Sequence, residues 1–338
     1  MSQGVPNVNQ GDSEATLFVP AFGLRNSHLQ TVLSSQGPRK YNREKRFSPY
    51  LKSQFAILLN GGDGVRLEGF HNRASEEPSN ELVIMIHGWE GSHESTYMKS
   101  MATSLLDEGY DTFRLNMRDH GETHHLNKGL FNSTLLDEVM NAISDLQSRL
   151  RYQKYTLVGF SLGGNFCLRV AANAHDKPLV LERVIAFCPA VHGGQSTQAL
   201  NQPKNWFYSH YFVRKWRRSL LKKLEHWPEY DFGVDLGSLK TLNEMNEAFV
   251  PRYTHFEKVD DYFDAYAIDG DKLANTICPC YLHFSKDDMI IPIEGVSLLC
   301  DNPDLHVTIT EYGGHCGFLM NWRGDSWQDV RTLELISR

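Results

Sequence analysis

The sequence predicts an α/β fold, in which an eight-stranded and mostly parallel sheet is flanked by helices and carries an inserted helical cap between strands six and seven. Short apolar, β-branched runs alternate with segments of helical periodicity from Phe55 onward. Inner runs such as residues 82–86 are continuously apolar, which is typical of strands buried on both faces. The alternation stops between residues 191 and 275 and then resumes, which indicates an insertion.

The elements are predicted in chain order from these runs. Strands are predicted at residues 55–59, 65–70, 82–87, 112–116, 155–160, 183–187, 281–285 and 305–310. The sequence Asn-Gly-Gly-Asp-Gly between the first two strands suits a hairpin at an antiparallel edge. Helices are predicted at residues 96–106, 135–150, 162–174, 295–299 and 327–336.

The same patterns predict the domain organisation. We expect a flexible N-terminal tail at residues 1–16, the first part of the α/β core at 17–192, a helical cap at 193–275, and the second part of the core at 276–338. One cap helix has an apolar face, formed by Phe212, Trp216, Leu220, Leu224 and Trp227. Its remaining positions are basic: Arg214, Lys215, Arg217, Arg218, Lys222 and Lys223. We interpret it as a helix packed on the core with a solvated basic face. The alternative is a lid that touches membrane or lipid aggregates.

Composition restricts the classes of function. Of 338 residues, 41% are hydrophobic and 22% are charged, which is ordinary for a globular protein. The net charge of −7 provides no basic field for nucleic acid, so no nucleic-acid partner is expected. No secretory signal precedes residue 17, and no apolar run reaches the ~18 residues of a spanning helix. With six cysteines interpreted as reduced thiols, we predict a cytoplasmic protein with at most peripheral membrane contact.

Two groups of residues with metal-binding side chains lack the spacing of metal sites. The pair Cys278 and Cys280 is separated by one residue, whereas metal knuckles and redox motifs have two. His120, His124 and His125 have no neighbouring pattern of a known zinc motif. We therefore predict neither a metal nor a cofactor.

The strongest chemical signal is the motif Gly-Phe-Ser-Leu-Gly at residues 159–163, where a predicted strand meets a predicted helix. A G-x-S-x-G sequence in that position forms the nucleophile elbow of the α/β-hydrolase fold, a strained turn that lifts the serine hydroxyl above the sheet. A Cβ atom at Gly159 or Gly163 would clash with the neighbouring backbone of such a turn. The sequence therefore predicts that Ser161 is a nucleophile.

A serine nucleophile needs a base, and the base needs an acid to orient it. In this fold the acid comes first and the histidine last. His315 lies in a glycine-rich loop after the final predicted strand, and no other histidine occupies that place. After the preceding strand the sequence offers two acids, Asp287 and Asp288, of which only one can be the partner.

Two backbone N–H groups are the predicted donors to the oxyanion that forms during acyl transfer. One belongs to Leu162, which follows the nucleophile and opens a helix. The other is assigned to Trp89, in the loop after the third strand. The Trp89 indole is interpreted either as a wall of the acyl pocket or as a packing residue. The charged loop at residues 118–121 is interpreted as a hydrogen-bonded anchor for neighbouring loops.

Three motifs resemble the YheT-like branch of the α/β hydrolases, also described as the embryogenesis-associated or abhydrolase-domain type. N-S-H-L-Q-T at residues 26–31 looks like its n-p-H-L-Q-T signature, and H-G-W-E-G-S at 87–92 is similar to its H-G-L-E-G-S loop. G-G-H-C-G-F at 313–318 is similar to its G-G-H-x-G-F ending. Family members show the acid followed by one residue, two apolar residues and a proline, and this spacing selects Asp288. Residues 117–121 depart from the R-G-C-x-G form of the branch.

The resemblance implies hydrolysis of carboxylic esters, with small-molecule or lipid esters as substrates. Ser161, His315 and Asp288 are then expected to act through an acyl-enzyme. One alternative is acyl transfer to an alcohol or thiol by the same residues, and the other is a catalytically silent binding scaffold. The oligomeric state and the natural substrate are not predicted.

Overall fold

The computed structural model describes residues 18–177 and 179–338. The predicted flexible tail at residues 1–16 lies outside the described residues. Within this part of the chain, no helix combines the length and the apolar character that crossing a bilayer requires.

The predicted fold class is confirmed. One sheet contains eight strands in the order β1-β2-β4-β3-β5-β6-β7-β8. Strand β2 pairs antiparallel with β1 and β4, and all other pairs are parallel. The strands are β1 Gln54–Gly62, β2 Val65–Asn72, β3 Glu81–Ile86, β4 Asp111–Leu115, β5 Lys154–Phe160, β6 Arg183–Phe187, β7 Cys280–Ser285 and β8 Leu305–Thr310.

Strand β3 explains why the inner runs are continuously apolar. Every residue of β3 is buried. Because successive side chains of a strand point to opposite faces, Ile84 and Ile86 join one apolar core and Val83 and Met85 join the other. The sheet therefore has a hydrophobic core on each face, and an inner strand such as β3 has no solvated side that would require polar residues.

The helices cover both faces of the sheet. They are α1 Ser27–Leu33, α2 Gly37–Phe47, α3 Thr96–Asp107, α4 Leu136–Arg149, α5 Leu162–Asn173, α6 Gly193–Leu200, α7 Trp206–His226, α8 Leu242–Tyr253, α9 Val259–Tyr266 and α10 Trp327–Ile336. Helices α4 and α5 pack on one side, whereas α3 and α10 pack together on the other. The predicted helix at residues 295–299 is wrong: the chain forms a 3₁₀ helix at Ile293–Leu298 directly after Pro292, and Leu299 already has an extended backbone.

Helices α1 and α2 were not predicted, because polar side chains rather than an apolar face fix them to the core. Gln30 is fully buried and donates to the Leu24 and Leu319 carbonyls at 2.7 and 3.1 Å. Arg39 and Arg43 donate to the Gly324 carbonyl at 2.9 and 2.7 Å. These bonds join the N-terminal helices to residues nearly 300 positions away in the chain.

Between β6 and β7 the chain forms the four helices α6 to α9. The apolar residues predicted for one helix face occur on α7, except Trp227, which caps its C-terminus. The prediction of a solvated basic face is wrong in part. Lys223 is 1% exposed and forms an ion pair with Asp119 at 2.8 Å. Arg217 donates to the Leu236 and Leu239 carbonyls, whereas Arg214 and Arg218 are exposed.

Candidate active site

Ser161 lies in a sharp turn between β5 and α5, at the carboxyl end of the sheet. Its φ and ψ angles are 53° and −121°, a conformation that costs a non-glycine residue free energy. Its backbone N–H donates to the Phe187 carbonyl at 2.8 Å, which anchors the turn to β6. The hydrogen bond to β6 therefore stabilises the strained backbone conformation of Ser161, which lies where β5 ends.

The two glycines of the motif have the steric role predicted from the sequence. A Cβ atom at Gly159 would lie 2.4 Å from the Gly163 carbonyl oxygen, and one at Gly163 would lie 2.3 Å from the Ile86 carbonyl oxygen. Cβ atoms in proteins essentially never approach a non-bonded atom this closely, so any larger residue at either position would displace the start of α5. The absence of side chains lets α5 begin directly against the end of β3.

His315 lies in the loop after β8, with its imidazole between two oxygen atoms. The Ser161 hydroxyl donates to His315 Nε2 across 3.0 Å, and His315 Nδ1 donates to Asp288 Oδ2 across 2.8 Å. A carboxylate can only accept, so this pairing assigns the proton to Nδ1 and leaves Nε2 as an acceptor. The structure thus brings together the three side chains that were predicted from separate regions of the chain.

The adjacent acids have different partners. Asp288 Oδ1 accepts from the Ile290 and Ile291 N–H groups at 2.8 and 2.9 Å, which leaves Oδ2 for the imidazole. Asp287 Oδ1 instead accepts from the Gly314 N–H at 2.8 Å. Asp287 is half-buried. Its carboxylate contacts the backbone of the histidine loop, not the imidazole.

The backbone of the histidine loop is held by residues that sequence reasoning had not assigned to the site. Thr31 Oγ1 accepts from the His315 N–H at 2.9 Å. A Cβ atom at Gly314 would lie 2.5 Å from the Ser27 carbonyl oxygen, so the loop rests directly on α1. The signal was present in the n-p-H-L-Q-T signature, which contains Thr31, but a sequence cannot show that this signature packs against the last loop of the core.

The electrostatic surroundings of His315 favour its charged form. Burial alone would lower the pKa of His315, but the Asp288 carboxylate, the neighbouring Cys316 and the hydrogen bond to Asp288 raise that pKa to about 9. The Asp288 charge therefore stabilises an imidazolium, which is the species that forms when a histidine takes a proton from a serine.

The predicted oxyanion donors lie on two segments that meet beside Ser161. Leu162 begins α5, and the first N–H groups of a helix have no partner within it. Trp89 lies in a turn closed by the Gly91 N–H, which donates to the Gly88 carbonyl at 2.9 Å. A Cβ atom at Gly88 would lie 3.2 Å from Ser161 Cβ, so this turn abuts the nucleophile. The assignment of the two N–H groups as oxyanion donors stays a prediction.

The Trp89 indole packs against the cap. Its ring is stacked on Phe212 at a centroid distance of 5.3 Å, and Trp216 meets it edge-on at 5.4 Å. Trp89 also lines a cavity of about 50 Å³ between core and cap, whose walls include Phe131 and Phe249. The packing interpretation of the Trp89 side chain is thus supported by its contacts with the cap, and the cavity that it lines does not include Ser161 or His315 among its walls.

The loop at residues 118–121 is tied to both core and cap. Asp119 accepts from Lys223 of α7 at 2.8 Å and from the Phe131 N–H at 2.9 Å. His120 Nδ1 donates to the Arg118 carbonyl at 2.7 Å, and burial lowers the pKa of His120 to about 4. These contacts support the interpretation of this loop as a structural anchor.

Within the described residues, one group of side chains has its potential metal-ligating atoms within 4.8 Å of one another: Cys188, His315 and Cys316. The histidines at 120, 124 and 125 are not such a group. His315 is already bonded to Asp288 and Ser161 through its two ring nitrogens.

Comparison with known proteins identifies the fold and several relatives. The pattern of the family described as alpha/beta hydrolase fold matches residues 81–321. The chain is 27% identical to YheT of Escherichia coli (strain K12), over 91% of this chain and 88% of that protein. It is 21% identical to the human phospholipase ABHD3, over 86% of this chain and 70% of that protein. The resemblance to the YheT-like branch is therefore confirmed.

More distant similarities agree with the fold. The chain is 19% identical to the monoacylglycerol lipase of Saccharomyces cerevisiae, over 75% of this chain and 58% of that protein. Among solved structures, the esterase Pf2001 of Pyrococcus furiosus superposes with a TM-score of 0.55 at 17% identity, covering 87% of this chain and 92% of that one.

Proposed function

Because this chain belongs to the alpha/beta hydrolase fold family, we propose that it is a serine hydrolase of carboxylic esters that works through Ser161, His315 and Asp288. The observation that carries the proposal is the unbroken series of hydrogen bonds from Asp288 Oδ2 through the imidazole to the Ser161 hydroxyl, with lengths of 2.8 and 3.0 Å. Each residue is supplied by a different loop at the carboxyl edge of the sheet, where α/β folds place their ligands.

In the acylation step, Ser161 Oγ attacks the ester carbonyl carbon while its proton passes to His315 Nε2. The carbonyl π electrons move to the oxygen, and we assign the Leu162 and Trp89 N–H groups as the donors to the resulting oxyanion. Asp288 stabilises the imidazolium that forms. When the tetrahedral intermediate collapses, the C–O bond breaks and the proton on Nε2 passes to the departing alkoxide, which leaves as an alcohol.

Deacylation repeats the sequence with water as the nucleophile. Water gives its proton to His315 Nε2 as it attacks the acyl-enzyme, and Ser161 recovers that proton as the carboxylic acid departs. The N-terminus of α5 carries the partial positive charge of the helix dipole and begins directly after Ser161, so it favours the negative charge of the oxyanion in both steps.

The aromatic residues of the cap that pack on Trp89, which follows the residue abutting Ser161, support an ester with an apolar acyl or alcohol group as the substrate. The names of two relatives, a phospholipase and a monoacylglycerol lipase, support lipid esters as one class to test. Peripheral contact of the cap with lipid and a cytoplasmic location remain predictions.

The test measures hydrolysis of p-nitrophenyl esters of graded chain length by the wild type and by Ser161→Ala. We expect Ser161→Ala to lose turnover on every ester while its melting temperature is retained. Ser297→Ala, which removes an exposed hydroxyl that donates to the Glu294 carbonyl, is the matched control and should keep full activity. Substantial turnover by Ser161→Ala would overturn the assignment of the nucleophile. An added alcohol acceptor separates hydrolysis from acyl transfer, and we expect the carboxylic acid to remain the main product.

A further inference from the structure

Two cysteine thiols lie against the base of the proposed triad and have no part in the mechanism above. Cys188 directly follows β6, and Cys316 directly follows His315. The two sulfur atoms and a ring nitrogen of His315 all lie within 4.8 Å of one another. The Cys316 N–H donates to Cys188 Sγ at 3.4 Å, and the Cys188 thiol donates to the Gly314 carbonyl at 3.8 Å.

We propose that Cys188 and Cys316 form a modification site. A hydroperoxide oxidises the two thiols to a reversible disulfide, and this disulfide inactivates the enzyme. The effect on activity rests on the proposed function, whereas formation of the disulfide does not. The pairing is local in space but not in sequence, since 128 positions separate the two residues. The fold itself therefore creates the site.

The two thiols differ in a way that sets the order of reaction. Burial raises the pKa of the Cys316 thiol, but the hydrogen bond with the Cys188 thiol and the charge of His315 outweigh burial and lower that pKa below its ordinary value. Burial and the neighbouring Cys316 raise the pKa of Cys188 well above its ordinary value. Because a thiolate is the nucleophile towards peroxides, Cys316 reacts first and Cys188 resolves the product.

The chemistry balances in two steps. The Cys316 thiolate attacks one peroxide oxygen, the O–O bond breaks, and the departing alkoxide or hydroxide takes up the thiol proton, leaving a sulfenic acid. The Cys188 sulfur then attacks the Cys316 sulfur, the S–O bond breaks, and hydroxide leaves with the Cys188 proton as water. Two thiols are oxidised to one disulfide, and one peroxide is reduced to an alcohol or water and one further water.

We expect formation of the S–S bond to displace the loop that carries the base. A disulfide holds its sulfurs about 2.05 Å apart, so Cys316 has to leave its present contact with the Phe187 carbonyl, which lies 3.5 Å from its sulfur. His315 is the adjacent residue, and Thr31 holds its backbone from the other side. A misplacement of about 1 Å at a reacting group can cost about 10²-fold in rate. We expect oxidation to lower kcat/KM at least tenfold.

The chain provides an internal control in a second thiol pair. Cys278 and Cys280 are close together at the start of β7, so they lie at the opposite edge of the sheet from the ends of β5 and β8. Oxidation there would also remove two hydrogens from the protein. The mass change therefore cannot show which of the two pairs is oxidised, and the position of the disulfide has to be mapped.

The experiment treats the full chain with hydrogen peroxide in the presence of a chelator, followed by peptide mapping without reduction and by ester hydrolysis. We expect a peptide that links Cys188 to Cys316, a loss of activity that parallels its appearance, and recovery of both with dithiothreitol. Cys188→Ala should resist inactivation, whereas Cys280→Ala should remain as sensitive as the wild type.

Three results would overturn the proposal: no linked peptide while activity is lost, a linked peptide without loss of activity, or equal inactivation of Cys188→Ala and the wild type. Mapping of the wild type needs no variant, so misfolding of Cys188→Ala would not prevent a decision. Failure of the proposed function gives a different result, because the reduced wild type would then hydrolyse no ester while the linked peptide could still form.

Discussion

Replacing Asp288 by asparagine isolates the electrostatic contribution of the acid with little change of shape. The asparagine Oδ1 can still accept from the Ile290 and Ile291 N–H groups, which the aspartate binds at 2.8 and 2.9 Å. Its amide NH₂ then faces His315 Nδ1, where the aspartate has a carboxylate oxygen at 2.8 Å. Two donors would oppose each other unless the imidazole adopts the tautomer whose Nε2 carries the proton and cannot accept from Ser161.

The magnitude follows from that wrong tautomer. The same replacement in a serine protease triad costs about 10⁴ in kcat, which at about 1.36 kcal/mol for each factor of ten corresponds to about 5.4 kcal/mol. We expect Asp288→Asn to lose about 10⁴-fold in kcat and to keep the melting temperature of the wild type within a few degrees. It should also lower the pKa of His315, because it removes the Asp288 charge that raises it.

Asp287→Asn is the matched control, one residue earlier in the same loop. Its Oδ1 can keep the bond from the Gly314 N–H, and only the charge assistance of that bond is lost, which is worth roughly 1 kcal/mol. We expect a loss of activity of tenfold or less. The assay is kcat and KM for a p-nitrophenyl ester, with melting curves for both variants. If Asp287→Asn shows the large loss of kcat instead, Asp287 is the acid that orients His315. If neither variant loses kcat, the orienting acid lies elsewhere.

Three further outcomes are expected. Since only the neutral form of His315 can take the serine proton and its pKa is raised to about 9, kcat/KM should rise with pH and level near that value, and a profile already flat from about pH 7 would contradict this. Lys223→Met leaves the Asp119 carboxylate buried without its partner, so the free energy of unfolding in urea should fall by about 3–5 kcal/mol. Lys222→Met breaks an exposed ion pair on the same helix and should lower it by less than about 1 kcal/mol. Equal losses for the two variants would refute this distinction between buried and exposed pairs. If the cap touches lipid, anionic vesicles should increase hydrolysis of long-chain esters and Arg218→Glu should remove the increase, whereas equal rates with and without vesicles would leave only the packing role.

The sheet could be predicted because its signal is local. A strand such as β3 is apolar at every position, and the glycines on both sides of Ser161 mark the turn at which β5 becomes α5. Predicted strand ends differ from the observed ends by three residues at most, as at β1. Periodicity and turn chemistry determine these features within a few residues of chain.

The features that sequence reasoning missed depend on distant contacts. Helix α2 is held by Arg39 and Arg43, whose partner carbonyl belongs to Gly324, and nothing near either arginine in the sequence indicates it. Likewise, helical periodicity predicted that Lys223 is a solvated cation on the basic face of an amphipathic helix. Its burial results from the position of Asp119, which comes from the core.

For the candidate site, chain order and motif placed Ser161 and His315, but chain order did not separate the two neighbouring acids, and only the spacing seen in the resembled family favoured Asp288. That separation depends on which carboxylate reaches the imidazole, a difference of one residue in the path of a loop. In the structure the Ile290 and Ile291 N–H groups bind one oxygen of Asp288, and the other oxygen is turned towards His315. The sequence contains both acids but not this hydrogen-bonding pattern.

The central claim is that Ser161 is an activated nucleophile, and covalent labelling tests it most directly. A fluorophosphonate probe is incubated with the wild type, and the labelled peptide is identified by mass spectrometry. We expect one label per chain, on Ser161, with loss of ester hydrolysis in proportion to labelling and no label on Ser161→Ala. An enzyme that hydrolyses esters but carries the label on another residue, or carries none, would contradict it.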